Sequence, residues 1–426
     1  MKLRRLIALS AVLTLSLGVL SACGGSDSSS AAGDPASSSA EPSSQNETPS
    51  PELSNRAALA VTDEALDAEA LNKAITSLGD TTKLQAKMKK ALAGEKVTVA
   101  YLGGSITEGY SAGAEKCYAK LSFEKFKAAF GKDGGSNVEY VNAGISGTPS
   151  KLGNLRLQRD ILSHDPDIVF IEFAVNDARD SDHKAAYESI VRDLLEKDIA
   201  VVLLFSRTES GYSAQDYMKE IGAYYSVPMV SYADGVTYML DNKKIEWKQF
   251  SGDYTHPNFR GHAIVADMIG YFFEKVWDDT PKVAEYPEKP LSAMIQQGMQ
   301  MFENGDIEPE SMGSWKKGSQ AAFFNNGWTH EAGSNEPLVF KMKGKFLHLV
   351  YKVNKVGNLG DIKVKVTTDG ADTSEKTIKT LTDDGWGNPL IEILARKPAE
   401  HEYTVEISMA DENEDKTAEI LAIAHN

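Results

Sequence analysis

Basic residues are in short supply. The chain has 45 Lys and Arg against 61 Asp and Glu, a formal charge of −16 at pH 7 over 426 residues. A body of that sign repels phosphate backbones and anionic lipid, which argues against nucleic acid and against flat electrostatic attachment to a membrane. Cysteine is scarcer still: Cys23 and Cys117 are the only two, so neither a multi-bridge framework nor a C-x-x-C site can be built. No H-E-x-x-H occurs and the eight histidines are dispersed, so no metal site is expected. The glycine-rich stretch Gly103 to Gly109 has no Lys-Ser/Thr after its last glycine and lacks G-x-G-x-x-G spacing, which removes the common nucleotide loops. No cofactor is expected. No internal repeat is visible, and a C-terminal membrane span is absent.

The N-terminus has what the body lacks. Lys2, Arg4 and Arg5 precede the apolar run Leu6 to Leu20 and then Ser21-Ala22-Cys23. A basic start, a short apolar core and small residues before a cut describe a secretory signal over residues 1–22. Leu20-Ser21-Ala22-Cys23 resembles a bacterial lipobox, which implies diacylglycerol on Cys23 and a membrane-anchored lipoprotein at the cell surface. The alternative is a plain signal peptide with an accidental cysteine. Losing Lys2, Arg4 and Arg5 would take the formal charge from −16 to −19. Residues 23–57, rich in Ser, Ala, Pro and Gly, bury too little apolar surface to order themselves and read as a tether. With Cys23 lipidated, Cys117 is single and cannot form an intramolecular disulfide; Leu121, Phe123 and Phe126 nearby suit it to packing.

Residues 58–279 alternate apolar runs with helical patterns. Leu66 to Leu92 has helical spacing, as have Tyr118 to Phe130, Ser150 to Ser163, Ala185 to Leu195, Gln215 to Tyr225 and Phe259 to Trp277. Between them Val97 to Leu102, Val138 to Val141, Asp167 to Phe173 and Ala200 to Phe205 read as strands. This order predicts a parallel sheet covered on both faces, an α/β/α sandwich. Residues 280–320 form a connector with one predicted helix, Leu291 to Phe302. From 321 to 426 strict alternation in Ile362 to Val366 and Tyr403 to Met409, with Asp369-Gly370 as a hairpin signal, predicts an all-β sandwich or jelly roll.

Four turns at the sheet edge carry the chemistry. The strand Val97 to Leu102 breaks on Gly103-Gly104 to present Ser105. Alone this is an ordinary turn. Asp253-Tyr254-Thr255-His256-Pro257 sets a carboxylate three residues before a histidine, in a loop that Pro257 keeps out of the following helix. Asp253 can then orient the imidazole of His256 as base for Ser105, although a helix cap is the blander reading of the pair. Asn142-Ala-Gly-Ile-Ser-Gly147 and Ala174-Val-Asn176-Asp177 follow two further strands, and such turns offer the amide donors that an oxyanion requires.

In these four blocks the chain resembles the SGNH hydrolases of the GDSL esterase/lipase superfamily, over roughly Lys96 to Trp277. The resemblance implies a flavodoxin-like α/β/α fold, with Ser105 as nucleophile, His256 as base and Asp253 as orienter. It also implies an oxyanion hole from the Ser105 and Gly147 amides and the Asn176 side chain. Two positions depart from the family pattern: Gly104 stands where Asp is usual, and Ala174 where Gly is usual.

The substrate is read more coarsely. A tethered, acidic protein pairing this domain with a β unit is similar to carbohydrate esterase family 2, although there the β domain usually comes first. This implies an O-acetyl esterase acting on acylated glycan. A lipid esterase or thioesterase, an O-acetyltransferase, and a non-catalytic carbohydrate-binding lipoprotein are the alternatives. Among Trp315, Trp328 and Trp386, the last, in Gly385-Trp386-Gly387, is the best placed to meet a sugar. Arg156 and Arg159 either contact substrate or pair with Asp160, the second being the expectation.

Overall fold

The computed structural model describes residues 52–426. The expected signal, the lipidation site Cys23 and most of the expected tether lie outside the described residues. No helix among the described residues is long and apolar enough to cross a membrane.

The first sheet has six strands: β1 (Ile75–Ser77), β2 (Val97–Gly103), β3 (Val138–Gly144), β4 (Ile168–Glu172), β5 (Ala200–Phe205) and β6 (Met229–Ser231). Their order is β1-β6-β5-β4-β2-β3. β2 to β6 run parallel, in the doubly wound order of flavodoxin-like folds, and β1 adds an antiparallel edge. Every residue of β2, β4 and β5 is buried, as strands covered on both faces require. Successive residues feed opposite cores. Val97, Val99, Tyr101, Phe170, Val202 and Leu204 pack on one side. Ala100, Leu102, Val169, Ile171, Val201 and Leu203 pack on the other.

Helices α1 (Ala68–Ala74), α2 (Thr82–Leu92), α3 (Ser105–Glu108), α4 (Tyr118–Phe130), α5 (Ser150–Leu155), α6 (Leu157–Asp160), α7 (Ser181–Leu195), α8 (Gln215–Tyr224), α9 (Tyr232–Asp241), α10 (Trp247–Phe250) and α11 (Phe259–Asp278) connect and cover this sheet. Two elements differ from expectation. The helical pattern from Leu66 to Leu92 is interrupted by β1, because Ile75 and Ser77 pair with the free edge of β6. Gly79, at φ +57, then turns the chain where a Cβ would meet Ser226 O at 2.4 Å. The helix predicted over Leu291 to Phe302 does not form. Its amides go instead to α7: Leu291 and Ser292 donate to Glu188, Gln296 to Ser189 and Gly298 to Asp193. Gln300–Phe302 becomes a strand, β7, on the second sheet.

That sheet is antiparallel. Besides β7 it contains β8 (Trp315–Lys317), β9 (Trp328–His330), β10 (Leu338–Asn354), β11 (Ile362–Thr368), β12 (Asp372–Ile378), β13 (Trp386–Met409) and β14 (Glu419–His425). The order is β12-β11-β13-β10-β14-β9-β8, with β7 on β14, in one hydrogen-bonded path. Register shifts at Gly344/Phe346, Leu347/His348 and Lys352/Asn354 bend the two longest strands. Residues from distant strands of the order, Trp315 and Trp328 with Val364 and Val366, consequently share a core. The other face of β10 and β14 is apolar too. Phe346, Val350, Leu421, Ala422 and Ala424 cluster with Ile145, Leu152 and Leu155 of the first unit, so the two sheets are joined through a buried interface.

Candidate functional site

The crossing point of a doubly wound sheet is where its loops diverge, here between β2 and β4. Ser105 begins α3 directly after β2, Gly147 follows β3 and Asn176 follows β4. His256 comes from the loop between α10 and α11. Its Nε2 lies 2.9 Å from Ser105 Oγ, and its Nδ1 lies 2.8 Å from Asp253 Oδ2. A carboxylate can only accept, so the Nδ1 proton points to Asp253 and Nε2 accepts from the serine hydroxyl. Burial alone would raise the Asp253 carboxyl. Amide hydrogen bonds from His256 and Thr255, at 2.6 and 2.7 Å, and the imidazole itself outweigh burial and hold it below the usual carboxylate range. The ring of Tyr110 packs on the His256 ring at 4.4 Å.

Amide donors face the same space. The Ser105 N–H is in the first turn of α3, where no intrahelical partner exists. Gly147 sits at φ +70, and a Cβ there would fall 2.8 Å from Cζ2 of Trp386. Both facts confine this position to glycine. Asn176 lies against Gly104: a Cβ on Gly104 would meet its Oδ1 at 2.5 Å. Ser105, Tyr110, Gly147, Val175, Asn176, Thr255, His256 and Trp386 line a cavity of about 520 Å³. An opening of this size admits a small ligand or one end of a chain.

Trp386 comes from the second sheet and is half exposed; Trp315 and Trp328 are buried in the core of that sheet. Arg156 and Arg159 do pair with Asp160. Arg156 is fully buried and does more: its two terminal nitrogens donate to Ala143 O at 2.7 Å and Gly103 O at 2.9 Å, clamping the ends of β3 and β2. Cys117 is buried at the N-terminus of α4, where its sulfur accepts from the Lys120 amide.

Beneath the serine lies a polar layer that the sequence reading missed. Glu172, fully buried at the end of β4, accepts from the Thr107 hydroxyl of α3 at 3.1 Å and from the Ser206 hydroxyl. Burial pushes its carboxyl up to about 7, with those two hydroxyls opposing. Asp177, next to Asn176, accepts from the Ser150 amide and the Tyr217 hydroxyl, both at 2.7 Å. Burial raises it to about 6, against the pull of nearby His183. Glu108 binds the amide and hydroxyl of Ser146 at 2.6 and 2.5 Å, tying the Gly147 loop to α3. One signal was present in the sequence: an acidic residue closing an otherwise apolar strand, Ile168 to Glu172, is a buried charge in need of partners. Among the described residues, no group of three or more His, Cys, Asp or Glu side chains is arranged to hold a metal ion.

Residues 101–264 match the model of the GDSL-like Lipase/Acylhydrolase family. Thioesterase 1/protease 1/lysophospholipase L1 of Escherichia coli (strain K12) is 26% identical over 183 residues, covering 40% of this chain and 81% of the relative. Among solved structures, a two-domain esterase (CEX) active on acetylated mannans, co-crystallised with mannopentaose, has a TM-score of 0.74 at 27% identity. That alignment covers 83% of this chain and 97% of the other, so it takes in both sheets. A further structure, of a two-domain esterase (CEX) active on acetylated mannans, gives 0.72 at 27% identity and covers 83% and 98%.

Proposed function

We propose that this chain, a carboxylic ester hydrolase of the GDSL type, removes O-acetyl groups from a polysaccharide through Ser105, His256 and Asp253. One observation carries the reading: Trp386, from the second sheet, forms a wall of the same cavity as Ser105 and Gly147. An indole at that place offers an apolar plate to a pyranose ring while the serine faces the ester. Likeness to an esterase active on acetylated mannans, at a TM-score of 0.74, supports the same substrate class.

In the cycle, Ser105 Oγ attacks the acetyl carbonyl carbon as His256 Nε2 takes its proton. Asp253 steadies the imidazolium. The amides of Ser105 and Gly147, with the Asn176 side chain, hold the oxyanion. Collapse expels the sugar alkoxide, which takes the proton from His256 and leaves as an alcohol. Water, deprotonated by His256, then attacks the acyl-enzyme and releases acetate and free serine.

Acetate release from acetylated mannan, xylan and peptidoglycan, measured beside chromogenic esters of increasing chain length, tests the substrate. Preference for long acyl chains would overturn the glycan reading in favour of a lipid esterase or thioesterase. Acetyl recovered on a second sugar would identify a transferase. We also propose a diacylglycerol anchor on Cys23 at the bacterial cell surface; labelling with a radioactive fatty acid that persists in Cys23→Ala would refute it.

A further inference from the structure

A second cleft, of about 410 Å³, adjoins the loop that carries Gly147. Gly144 and Ile145 line it, whereas Ser146 and Gly147 line the catalytic cavity. Three residue steps separate Gly144 from Gly147, at most about 11 Å along the chain. An oligosaccharide of a few units can therefore reach both.

The far wall of this cleft belongs to the second sheet's loop 321–326, and its geometry is unusual. Phe324 donates its amide to Ala321 O at 3.0 Å, closing a four-residue turn. The third position of that turn is Phe323, at φ +66. Gly or Asn normally takes such a position, since a bulky side chain there strains the backbone. The strained residue gains only partial burial in exchange. Phe324 is fully buried, whereas Phe323 is about half exposed at the cleft. Strain retained at a residue that leaves about half of its ring exposed points to use of that ring.

The carboxylates of the floor are matched by arginines, and Asp160 also pairs with buried Arg156. Arg159 pairs with Asp160 and Glu303, donates to Phe323 O at 3.3 Å, and stacks on Phe324. Its donors are largely occupied by those partners. Asn325, Asn326 and His164, by contrast, are exposed polar residues that line the cleft. An exposed aromatic face beside exposed amides, with both carboxylates already paired with arginines, suits a neutral polyhydroxylated ring better than an anion.

We infer that the Phe323 cleft is a second glycan subsite, which holds a sugar unit of the same polymer whose acetyl ester lies at Ser105. The inference rests on the glycan reading of the catalytic cavity. In use, the chain of sugars passes over Gly144 to Gly147, with Trp386 contacting one unit and Phe323 another. This arrangement selects polymer over short acetylated sugars.

The test uses the full chain carrying Ser105→Ala, so that binding is measured without turnover. Acetylated biose and hexaose of mannan and of xylan are titrated calorimetrically into this protein and into the same protein with Phe323→Ala or Phe323→Gly. Phe323→Ala should weaken hexaose binding roughly tenfold, the equivalent of one lost aromatic contact, and leave biose binding in place. Phe323→Gly should weaken hexaose binding equally yet raise Tm, because glycine relieves the positive φ. Equal hexaose affinity with and without the Phe323 ring, or a Tm that falls in Phe323→Gly, would overturn the subsite. If the parent protein binds neither biose nor hexaose, the glycan reading of the catalytic cavity itself fails.

Discussion

Gly147 and Trp386 are matched across two sheets: the indole Cζ2 lies 2.8 Å from the place a Cβ on Gly147 would take. Gly147→Ala should therefore push the indole away and strain a backbone at φ +70. If the Gly147 amide serves the oxyanion, kcat on a short-chain ester falls roughly a hundredfold. Steady-state kinetics of Gly147→Ala, alone and combined with Trp386→Ala, check this. The second substitution removes the clash and not the positive φ, so rescue should be partial; full rescue would show that the backbone at Gly147 has no part in catalysis.

Ser105→Ala should abolish hydrolysis of a short-chain ester. Asp253→Asn should retain binding but lower kcat by roughly 10³ to 10⁴, since an amide can no longer fix the Nδ1 proton. Circular dichroism of both variants should overlay on the parent. Undiminished turnover in Ser105→Ala would refute the mechanism.

Glu172 makes stability depend on pH. Its folded carboxyl is raised from 4.5 to about 7, so between those values the folded state keeps a proton that the unfolded chain has lost. Stability contributed at this site is present below about pH 4.5 and is lost as pH rises through 7. Buried His262, lowered to about 4, acts oppositely, and its contribution falls as pH drops from 6.5 toward 4. A comparison with Glu172→Gln isolates the carboxyl. The variant should match the parent near pH 4.5 and exceed it at pH 8 by on the order of 3 kcal/mol. Denaturant titrations at several pH values measure the difference; a pH-independent offset would refute the assignment.

Arg156→Met keeps the stem and removes the donors to Ala143 O and Gly103 O. Ala143 O and Gly103 O each lose a charged donor, although Gly103 O keeps the Ile145 amide and Asp160 keeps Arg159, at a cost of about 2 kcal/mol. Because Gly103 O belongs to the strand end that carries the serine, kcat should fall along with the midpoint of unfolding. A stability loss with unchanged kcat would show the clamp to be remote from the chemistry.

The parallel strands and the Ser, Gly, Asn and His blocks were legible because each rests on local pattern: an apolar run, a glycine break, a Pro after a His. Other features depend on contacts between distant segments. Ile75 to Ser77 carries helical spacing, and only the open edge of β6 makes it a strand. Leu291 to Phe302 has helix-like apolar spacing too, but Glu188, Ser189 and Asp193 on α7 take its amides. Trp386 drew attention through its flanking glycines, yet its place beside Gly147 follows from the packing of Phe346 and Leu421 on Leu152 and Leu155. Glu172 was passed over because a single charge among apolar residues reveals its partners only after folding; for Arg156 the pairing with Asp160 was expected, but not its bonds to Ala143 O and Gly103 O.

The apolar seam between the sheets bears on how this protein could be divided. Cutting the chain after α11 would leave Ile145, Leu152 and Leu155 facing water as a contiguous sticky surface and strip one wall from the catalytic cavity. The β unit is therefore not an interchangeable cassette appended to a self-sufficient enzyme. Loss or replacement of that unit would have to refill the seam and supply another side chain over Gly147 at the same time.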